Sequence, residues 1–221
     1  YTAVATVGKF GLGLWLALLL NNHLPFKSLL RAIILLPWVV PTVLSAMAFW
    51  WIFDSQFSII SWVLMKWGII SQPINFLGDP WNARWSVIAA NIWRGIPFVA
   101  ISLLAGLQTI PQSLNEAAAI DGASRRHAFW TIVFPLLAPT TFFLLVVNTV
   151  YALFDTFGII HAVTGGGPGK ATETLVYKVY NDGFVNLNMG DSAAQSVILM
   201  VIVIALTAFQ FRYIERRVHY G

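Results

Sequence analysis

Long stretches without a single charged residue constrain this chain more than any other feature of its sequence. Neither 32–53 nor 128–154 contains Lys, Arg, Asp or Glu, and each exceeds the roughly 20 apolar residues that a membrane-spanning helix needs. Charged residues make up 10% of the chain, against about 25% in soluble domains, and the mean hydropathy is +0.74. Because these runs lack the alternation of barrel strands, we predict an all-α polytopic membrane protein.

Five segments qualify as membrane spans, and together they make residues 1–221 a single transmembrane domain. We expect a sixth membrane helix to precede Tyr1, since the chain is already apolar there. Prolines inside the spans predict kinks, because each removes a backbone donor. The spans are 2–21 with Lys9 as its one charge, 32–53, 85–107 with Arg94 inside it, a stretch within 128–154, and 192–211. The prolines are Pro37, Pro41, Pro97 and Pro139.

Positive charge is divided unevenly between the two ends of these spans, which predicts their orientation. Short cytoplasmic loops carry an excess of Lys and Arg. We therefore place the richer ends, the loop 111–135 and the C-terminus in the cytoplasm, and the loops 54–84 and 161–191 outside. The aromatic residues of 54–84 also predict an amphipathic helix on the bilayer surface. The richer ends carry Lys27, Arg31, Arg125, Arg126, Arg212, Arg216 and Arg217, and the opposite ends carry Lys66, Arg84, Lys170 and Lys178.

The loop 111–135 contains signals for two short helices joined by a sharp bend. Ser113 and Glu116 have the spacing of a capping box, in which each side chain bonds a free backbone N–H at the helix start. Gly122 permits the left-handed conformation that ends a helix, and Ser124 can cap a second one. These residues alone leave open both a well-capped connecting loop and a docking surface for another protein.

The same loop resembles the signature of permease subunits of binding-protein-dependent ABC importers. That signature is Glu-Ala-Ala, three residues, Gly, nine residues and Ile-x-Leu-Pro. Here it reads Glu116-Ala117-Ala118, then Gly122, then Ile132 to Pro135 with Phe134 in place of Leu. The stretches RAIILLPWVVPTVLSAMAFWWIF and TGGGP resemble the carbohydrate-uptake class, which contains the maltose and glycerol-3-phosphate permeases. The second half is most similar to the glycerol-3-phosphate members and the first half to general sugar permeases.

The resemblance implies the type I ABC importer permease fold in a bacterial inner membrane and a transport subunit without covalent chemistry. The loop would dock in a cleft of a cytoplasmic ATPase, where Glu116 meets a basic or polar group and Ala117 and Ala118 face the docking surface. The implied partners are a second permease subunit, two ATPase subunits, an extracytoplasmic solute-binding protein and the lipid membrane. ATP and magnesium would be bound by the ATPase, with no cofactor in this chain. The implied coupling residues are Glu116, Ala117, Ala118, Asp121, Gly122, Ile132 and Pro135.

Charged residues inside spans mark a candidate substrate path, because such charges usually face a cavity or a partner. Arg94 and Asp155 could pair with each other without touching a substrate, or they could line a polar route. Arg94 would be the contact for a phosphate-bearing ligand. Lys9, by contrast, is expected to reach the membrane interface or to face a partner helix. The candidate path residues are Asn91, Arg94, Asn148, Tyr151 and Asp155.

Other kinds of site find no support in the sequence. The chain has no cysteine, and its histidines are scattered, so we predict no metal site. TGGGPGKAT is similar to a phosphate-binding loop, but Thr164 stands where Gly is needed and Ala171 where Ser or Thr is needed. We expect this loop to contact the binding protein. The net charge of +4 fits the charge bias of a membrane protein rather than a nucleic-acid partner. The histidines are His23, His127, His161 and His219.

The leading interpretation is therefore an ABC importer permease for a sugar or sugar-like solute, with glycerol-3-phosphate or phosphodiester uptake as the alternative. A membrane enzyme would need clustered acids, histidines or a nucleophile with its base, and none is visible. A channel or scaffold would not need an ATPase-docking loop. Co-purification with an ATPase separates these classes.

Overall fold

The computed structural model describes residues 1–22 and 25–214, and the predicted all-α class is confirmed there. His23, Arg216, Arg217 and His219 lie outside the described residues. Three π-helical turns, at Phe129–Val133, Asn181–Val185 and Gln210–Ile214, adjoin the α-helices. The helices are α1 (Thr2–Asn21), α2 (Lys27–Val39), α3 (Thr42–Ile52), α4 (Ile59–Lys66), α5 (Pro80–Thr109), α6 (Gln112–Ile120), α7 (Arg125–Ala128), α8 (Phe134–Leu136), α9 (Ala138–Phe154), α10 (Thr156–Val163), α11 (Leu175–Tyr180) and α12 (Met189–Phe209).

Four helical stretches in this part of the chain are long and apolar enough to cross a membrane, namely α1, α5, α9 with α10, and α12 with its following turn. The bent pair of α2 and α3 makes a fifth if it is counted as one span.

Two boundaries differ from the prediction. Helix α5 begins at Pro80, because Asp79 caps it, and the fourth span continues to Val163, because Asp155 keeps helical backbone angles. The loop predicted to begin at 161 therefore begins after Val163.

The chain turns by 90° between α2 and α3. Val40 and Pro41 have extended backbone angles there, and Pro41 has no N–H to donate to a preceding turn. The predicted break at Pro41 is confirmed. Pro37 and Pro97 lie inside α2 and α5. Pro139 lies in the first turn of α9, which begins after a break at Leu137, so its missing N–H costs nothing there.

Helix α1 packs closely along α5, and glycines make the close approach possible. A Cβ on Gly13 would lie 2.6 Å from Val99 Cγ1, and one on Gly8 would lie 2.5 Å from Ile92 Cδ1. Small residues allow membrane helices to approach in this way. An apolar core forms between α1, the second half of α5 and α9. Its buried members are Ala17, Leu20, Val99, Leu103, Leu104, Leu107, Leu137 and Leu144.

A second apolar core lies around the first half of α5, where α3, α10 and α11 meet it. Its buried members are Ala46, Val87, Ala90, Ile159, Ile160, Val163 and Tyr177. The two cores are therefore stacked along α5, and residues 91–95 of that helix lie between them. This intermediate layer contains the polar residues of the candidate site.

The loop 164–174 is bound to α5 near the N-terminal end of that helix, which is the end opposite α6. Arg84 Nε donates to the Ala171 carbonyl at 2.8 Å, and Thr172 Oγ1 donates to the Gly167 carbonyl at 2.8 Å. The predicted helix within 54–84 is present as α4, with Ser58 as its cap. Its position on a bilayer stays a prediction.

Candidate functional site

A cavity of about 210 Å³ lies between the two apolar cores, and all five candidate path residues line it. Helix α5 contributes Asn91 and Arg94, while α9 contributes Asn148 and Tyr151. Asp155 lies at the junction of α9 and α10. The residues from each helix are three, four or seven positions apart, which places them on one face. The structure thus brings together side chains that the sequence separates by up to 64 positions.

Arg94 and Asp155 form the ion pair that the sequence left open. Arg94 Nη1 donates to Asp155 Oδ2 at 2.5 Å, with 18% and 38% of the two side chains exposed. This bond connects α5 to the α9–α10 junction. Arg94 Nε is buried, and among the described residues it has no hydrogen-bond partner.

The two asparagines differ in how their side chains are satisfied. Asn148 Nδ2 donates to the Leu144 carbonyl within its own helix at 2.9 Å. Asn91 is 2% exposed, and its Oδ1 has no donor within the described part of the chain. A buried amide oxygen without a donor is costly, so it is a ready acceptor for a hydroxyl group that enters the cavity.

The structure decides between the two alternatives expected for Lys9. The residue is 3% exposed and does not reach the membrane interface, but faces the neighbouring helix α5 at Gly95 and lines the cavity. Trp38 and Phe98, which the sequence did not single out, form an aromatic wall with ring centroids 6.0 Å apart, and Tyr151 lies 6.4 Å from Phe98. The one signal that could have identified Lys9 is its position as the only charge in an apolar span.

The loop between α5 and α9 forms two helices, α6 and α7, joined by a bend that we call the elbow (residues 112–128). Gly122 has φ +77°, which confirms the predicted left-handed bend. Ser124 caps α7 by accepting from the His127 N–H at 3.3 Å, as predicted. The predicted capping box is wrong. Pro111 precedes the first turn of α6, so Ser113 lies inside the helix and makes no cap bond.

The coupling residues taken from the family signature occupy two separate places. Most lie on the exposed elbow, but Ala118 is only 6% exposed and packs inward, so it does not face outward as expected. Ile120, in contrast, is 86% exposed. Ile132 and Pro135 belong to the π-helical turn and to α8 rather than to the elbow. The exposed members are Glu116, Ala117, Asp121 and Gly122.

The π-helical turn before Pro135 has a local cause. Proline cannot donate a backbone hydrogen bond, and the helix accommodates it by a wider turn. The Phe134 N–H accordingly bonds the Phe129 carbonyl, five residues earlier. Thr131 Oγ1 bonds the His127 carbonyl in the same region. The signature proline thus shapes the entry of the chain from the elbow into α9.

No group of three or more His, Cys, Asp or Glu side chains that could hold a metal ion occurs among residues 1–22 and 25–214. The cavity instead offers two cations, one carboxylate, amide groups and aromatic rings. Such a set suits a polar solute that carries negative charge and hydroxyl groups.

The family described as binding-protein-dependent transport system inner membrane component matches residues 9–220. The sn-glycerol-3-phosphate transport system permease protein UgpA of Agrobacterium fabrum (strain C58 / ATCC 33970) is 57% identical over 221 residues, which are 100% of this chain and 74% of that protein.

Two solved structures share the fold at 22% sequence identity. One is a bacterial ABC transporter involved in the import of the acidic polysaccharide alginate, with a TM-score of 0.87 over 97% of this chain and 75% of that chain. The other is the bacterial alginate ABC transporter in complex with alginate pentasaccharide-bound periplasmic protein. Its TM-score is 0.86 over 99% of this chain and 77% of that chain.

Proposed function

The chain belongs to the family of binding-protein-dependent transport system inner membrane components, and on that premise we propose that it is the permease subunit of an ABC importer for sn-glycerol 3-phosphate or a closely similar solute. The Agrobacterium relative, a permease of that transport system, supports this choice of solute. Within the carbohydrate-uptake class predicted from the sequence, the phosphate-bearing alternative is therefore the one we adopt.

The observation that carries the proposal is the polar cavity between the two cores. Arg94 supplies a guanidinium group suited to phosphate, and Asn91 Oδ1 is a free acceptor for a hydroxyl group. The aromatic wall offers an apolar surface to the carbon skeleton of the solute. A solute of three carbons fits the volume of about 210 Å³.

The connection between the elbow and the cavity supports a coupling role. Helix α5 enters the elbow at one end and α9 leaves it through the π-helical turn at the other. These are the two helices that supply Asn91, Arg94, Asn148 and Tyr151 to the cavity. A displacement of the elbow as a rigid body would therefore move both walls of the site.

The proposed assembly contains a second permease subunit, two cytoplasmic ATPase subunits and an extracytoplasmic solute-binding protein. The exposed Glu116 and Ile120 on α6 support a protein contact at the elbow. In this arrangement the elbow is cytoplasmic, the loop 164–174 is external, and the C-terminus is cytoplasmic. ATP and magnesium are bound by the ATPase subunits.

The test is uptake by the assembled transporter reconstituted in proteoliposomes. Uptake of labelled sn-glycerol 3-phosphate is expected only when ATP, the binding protein and this chain are all present. Uptake without ATP would instead indicate a channel, and ATP hydrolysis by this chain alone would indicate an enzyme.

Variants of the ion pair test whether the cavity is the path. If Arg94 binds the anion, Arg94→Ala lowers uptake at least about tenfold, while Asp155→Asn leaves Arg94 available and keeps most of the uptake. If the pair only holds α5 against α9, both variants lose uptake alike. Uptake that is unchanged in Arg94→Ala would remove this residue from the path.

A further inference from the structure

We propose that Lys9 is the residue that makes the cavity selective for anionic over neutral solutes. This inference rests on the proposed function, because it assigns a role within the same site. It starts from an imbalance of charge in the cavity. Lys9 and Arg94 are formally positive and Asp155 is the one formally negative lining residue, so the lined site carries one surplus positive charge.

The surplus positive charge is assigned to Lys9, because Arg94 is already paired with Asp155. The carboxylate accepts from Arg94 at 2.5 Å. Within residues 1–22 and 25–214, by contrast, the Lys9 ammonium group makes neither an ion pair nor a hydrogen bond. Its side chain is nonetheless only 3% exposed. A buried cation without an acceptor is strongly unfavourable, so its stable partner is an anion that enters from the cavity.

The neighbouring helix is shaped to hold Lys9 in this position. A Cβ on Gly95 would lie 2.5 Å from Lys9 Cε, 2.6 Å from Cδ and 3.1 Å from Nζ. The lysine chain therefore crosses α5 at a glycine, where α5 has no side chain, directly after Arg94. This contact explains why Lys9 does not extend to the membrane interface, as long lysine chains do when they are free to.

The ligand chemistry follows from the groups left without partners. Lys9 Nζ and Arg94 Nε are donors that require an anionic acceptor, and Asn91 Oδ1 is an acceptor that requires a donor. A molecule that carries both a phosphate group and a free hydroxyl satisfies all three. A neutral sugar supplies hydroxyl groups but leaves the ammonium group of Lys9 without a counter-charge.

The experiment measures ligand binding by the assembled transporter in detergent without its binding protein, so that selectivity of the membrane site is seen alone. Protection against thermal unfolding is titrated with sn-glycerol 3-phosphate and with glycerol. The wild type is expected to be protected by the phosphate ester and not by glycerol. Lys9→Met is expected to weaken the apparent affinity for the ester at least about tenfold, which removes this preference.

Two further variants separate charge from packing. Lys9→Arg keeps a cation and is expected to retain the preference for the ester. Lys66→Met makes the same change at the last residue of α4, where Lys66 Nζ lies 5.0 Å from the Trp62 ring centroid, and it is expected to leave the affinity unchanged. Should Lys9→Met not assemble, Lys9→Gln is measured against the same criterion.

The two proposals can fail separately. An apparent affinity of Lys9→Met within about twofold of the wild type, with Arg94→Ala impaired, overturns the role of Lys9 but leaves the transport site in place. A wild-type transporter that neither imports nor binds the phosphate ester overturns the proposed function itself, and the role of Lys9 with it.

Discussion

At Gly13 the backbone of α1 lies so close to α5 that a methyl group has no room. A Cβ there would lie 2.6 Å from Val99 Cγ1, 2.8 Å from Val99 Cβ and 3.3 Å from the Ala100 backbone nitrogen. Val99 is fully buried and cannot move aside. The contact therefore fixes the separation of the two helices that also hold Lys9 and Arg94.

Gly13→Ala is expected to destabilise the protein by about 1–3 kcal/mol, because overpacking forces a well-packed helix pair apart. Gly11→Ala is the matched control, since a Cβ on Gly11 meets nothing within 4 Å. We expect it to be neutral or stabilising by up to about 1 kcal/mol, as alanine favours a helix over glycine. Thermal unfolding in detergent measures both, and equal effects of the two substitutions would contradict this packing.

The position of a side chain in the structure could be predicted from the sequence for some residues and not for others. Arg94 and Asp155 could be identified because a charge within an apolar span is rarely without a partner. Lys9 is also a charge within an apolar span, but the sequence could not predict where its side chain lies, because that depends on the space left at Gly95 of another helix. Sequence patterns show which face of a helix a residue occupies, not which residue of a distant helix leaves room for it.

Among the helical elements, the elbow depends most on a single backbone conformation. Gly122 has φ +77° and Gly68, which follows α4, has φ +70°, and a Cβ on either meets nothing within 4 Å. Alanine at such angles costs roughly 1–2 kcal/mol. The two glycines thus differ in location and not in the strain that a substitution imposes.

Gly122→Ala is expected to lower uptake and binding-protein-stimulated ATP hydrolysis at least several-fold, because a strained bend changes how α6 is presented. Gly68→Ala is expected to leave both rates close to wild type. ATP hydrolysis and uptake are measured in the same proteoliposomes. An unimpaired Gly122→Ala transporter would show that the geometry of the bend does not matter for coupling.

On the side of the molecule opposite the elbow, Asp182 connects the segment after α11 to α12. It accepts from Gln195 Nε2 at 2.6 Å, from Lys178 Nζ at 2.8 Å and from Asn186 Nδ2 at 3.1 Å. These hydrogen bonds, the one from Gln195 first, lower the pKa of the Asp182 carboxyl from 3.8 to about 2. The bond to Asp182 also raises the pKa of Lys178.

A depressed pKa in the folded state predicts the pH range over which Asp182 stabilises the protein. Its contribution is complete above about pH 4 and is lost as the pH falls toward 2, when the folded carboxyl takes up its proton. The Tm difference between wild type and Asp182→Asn should therefore be constant from pH 7 to 5 and shrink below pH 4. A difference that grows on acidification would contradict the assignment.

The elements themselves were predicted with uneven success for physical reasons. The apolar spans were found because lipid demands long uncharged helices. The extension of the fourth span through α10 was missed because Asp155 was taken as its end, although a partner on α5 allows the helix to continue past a charge. The capping box failed because the chain leaves Pro111 directly into α6, so Ser113 is already inside the first turn.

For the molecule as a whole, the arrangement of α5 accounts for the connection between the cavity and the elbow. One helix passes through both apolar cores, lines the cavity between them and ends at the elbow. Hydrophobicity predicted five spans, and residues 1–22 and 25–214 contain four such helical stretches and the bent pair of α2 and α3. The stacking of two cores around a polar layer depends on contacts between α1, α5, α9 and α10 that no local pattern specifies. Helix α12, whose apolar side chains are largely exposed, leaves a broad surface for lipid or a second subunit.

Single-cysteine crosslinking determines whether the elbow lies in the cytoplasm and is held by an ATPase, as proposed. The chain has no cysteine of its own, so each introduced thiol is unique within it. Ile120→Cys places a thiol on α6 at a site that is 86% exposed. Ile69→Cys places one after α4, in the loop that we propose to be external, at a site that is 62% exposed. We predict that Ile120→Cys crosslinks to the ATPase subunit and resists an impermeant thiol reagent added outside, while Ile69→Cys is labelled and forms no such crosslink. Labelling of Ile120→Cys from outside, with no crosslink to the ATPase, would contradict the account.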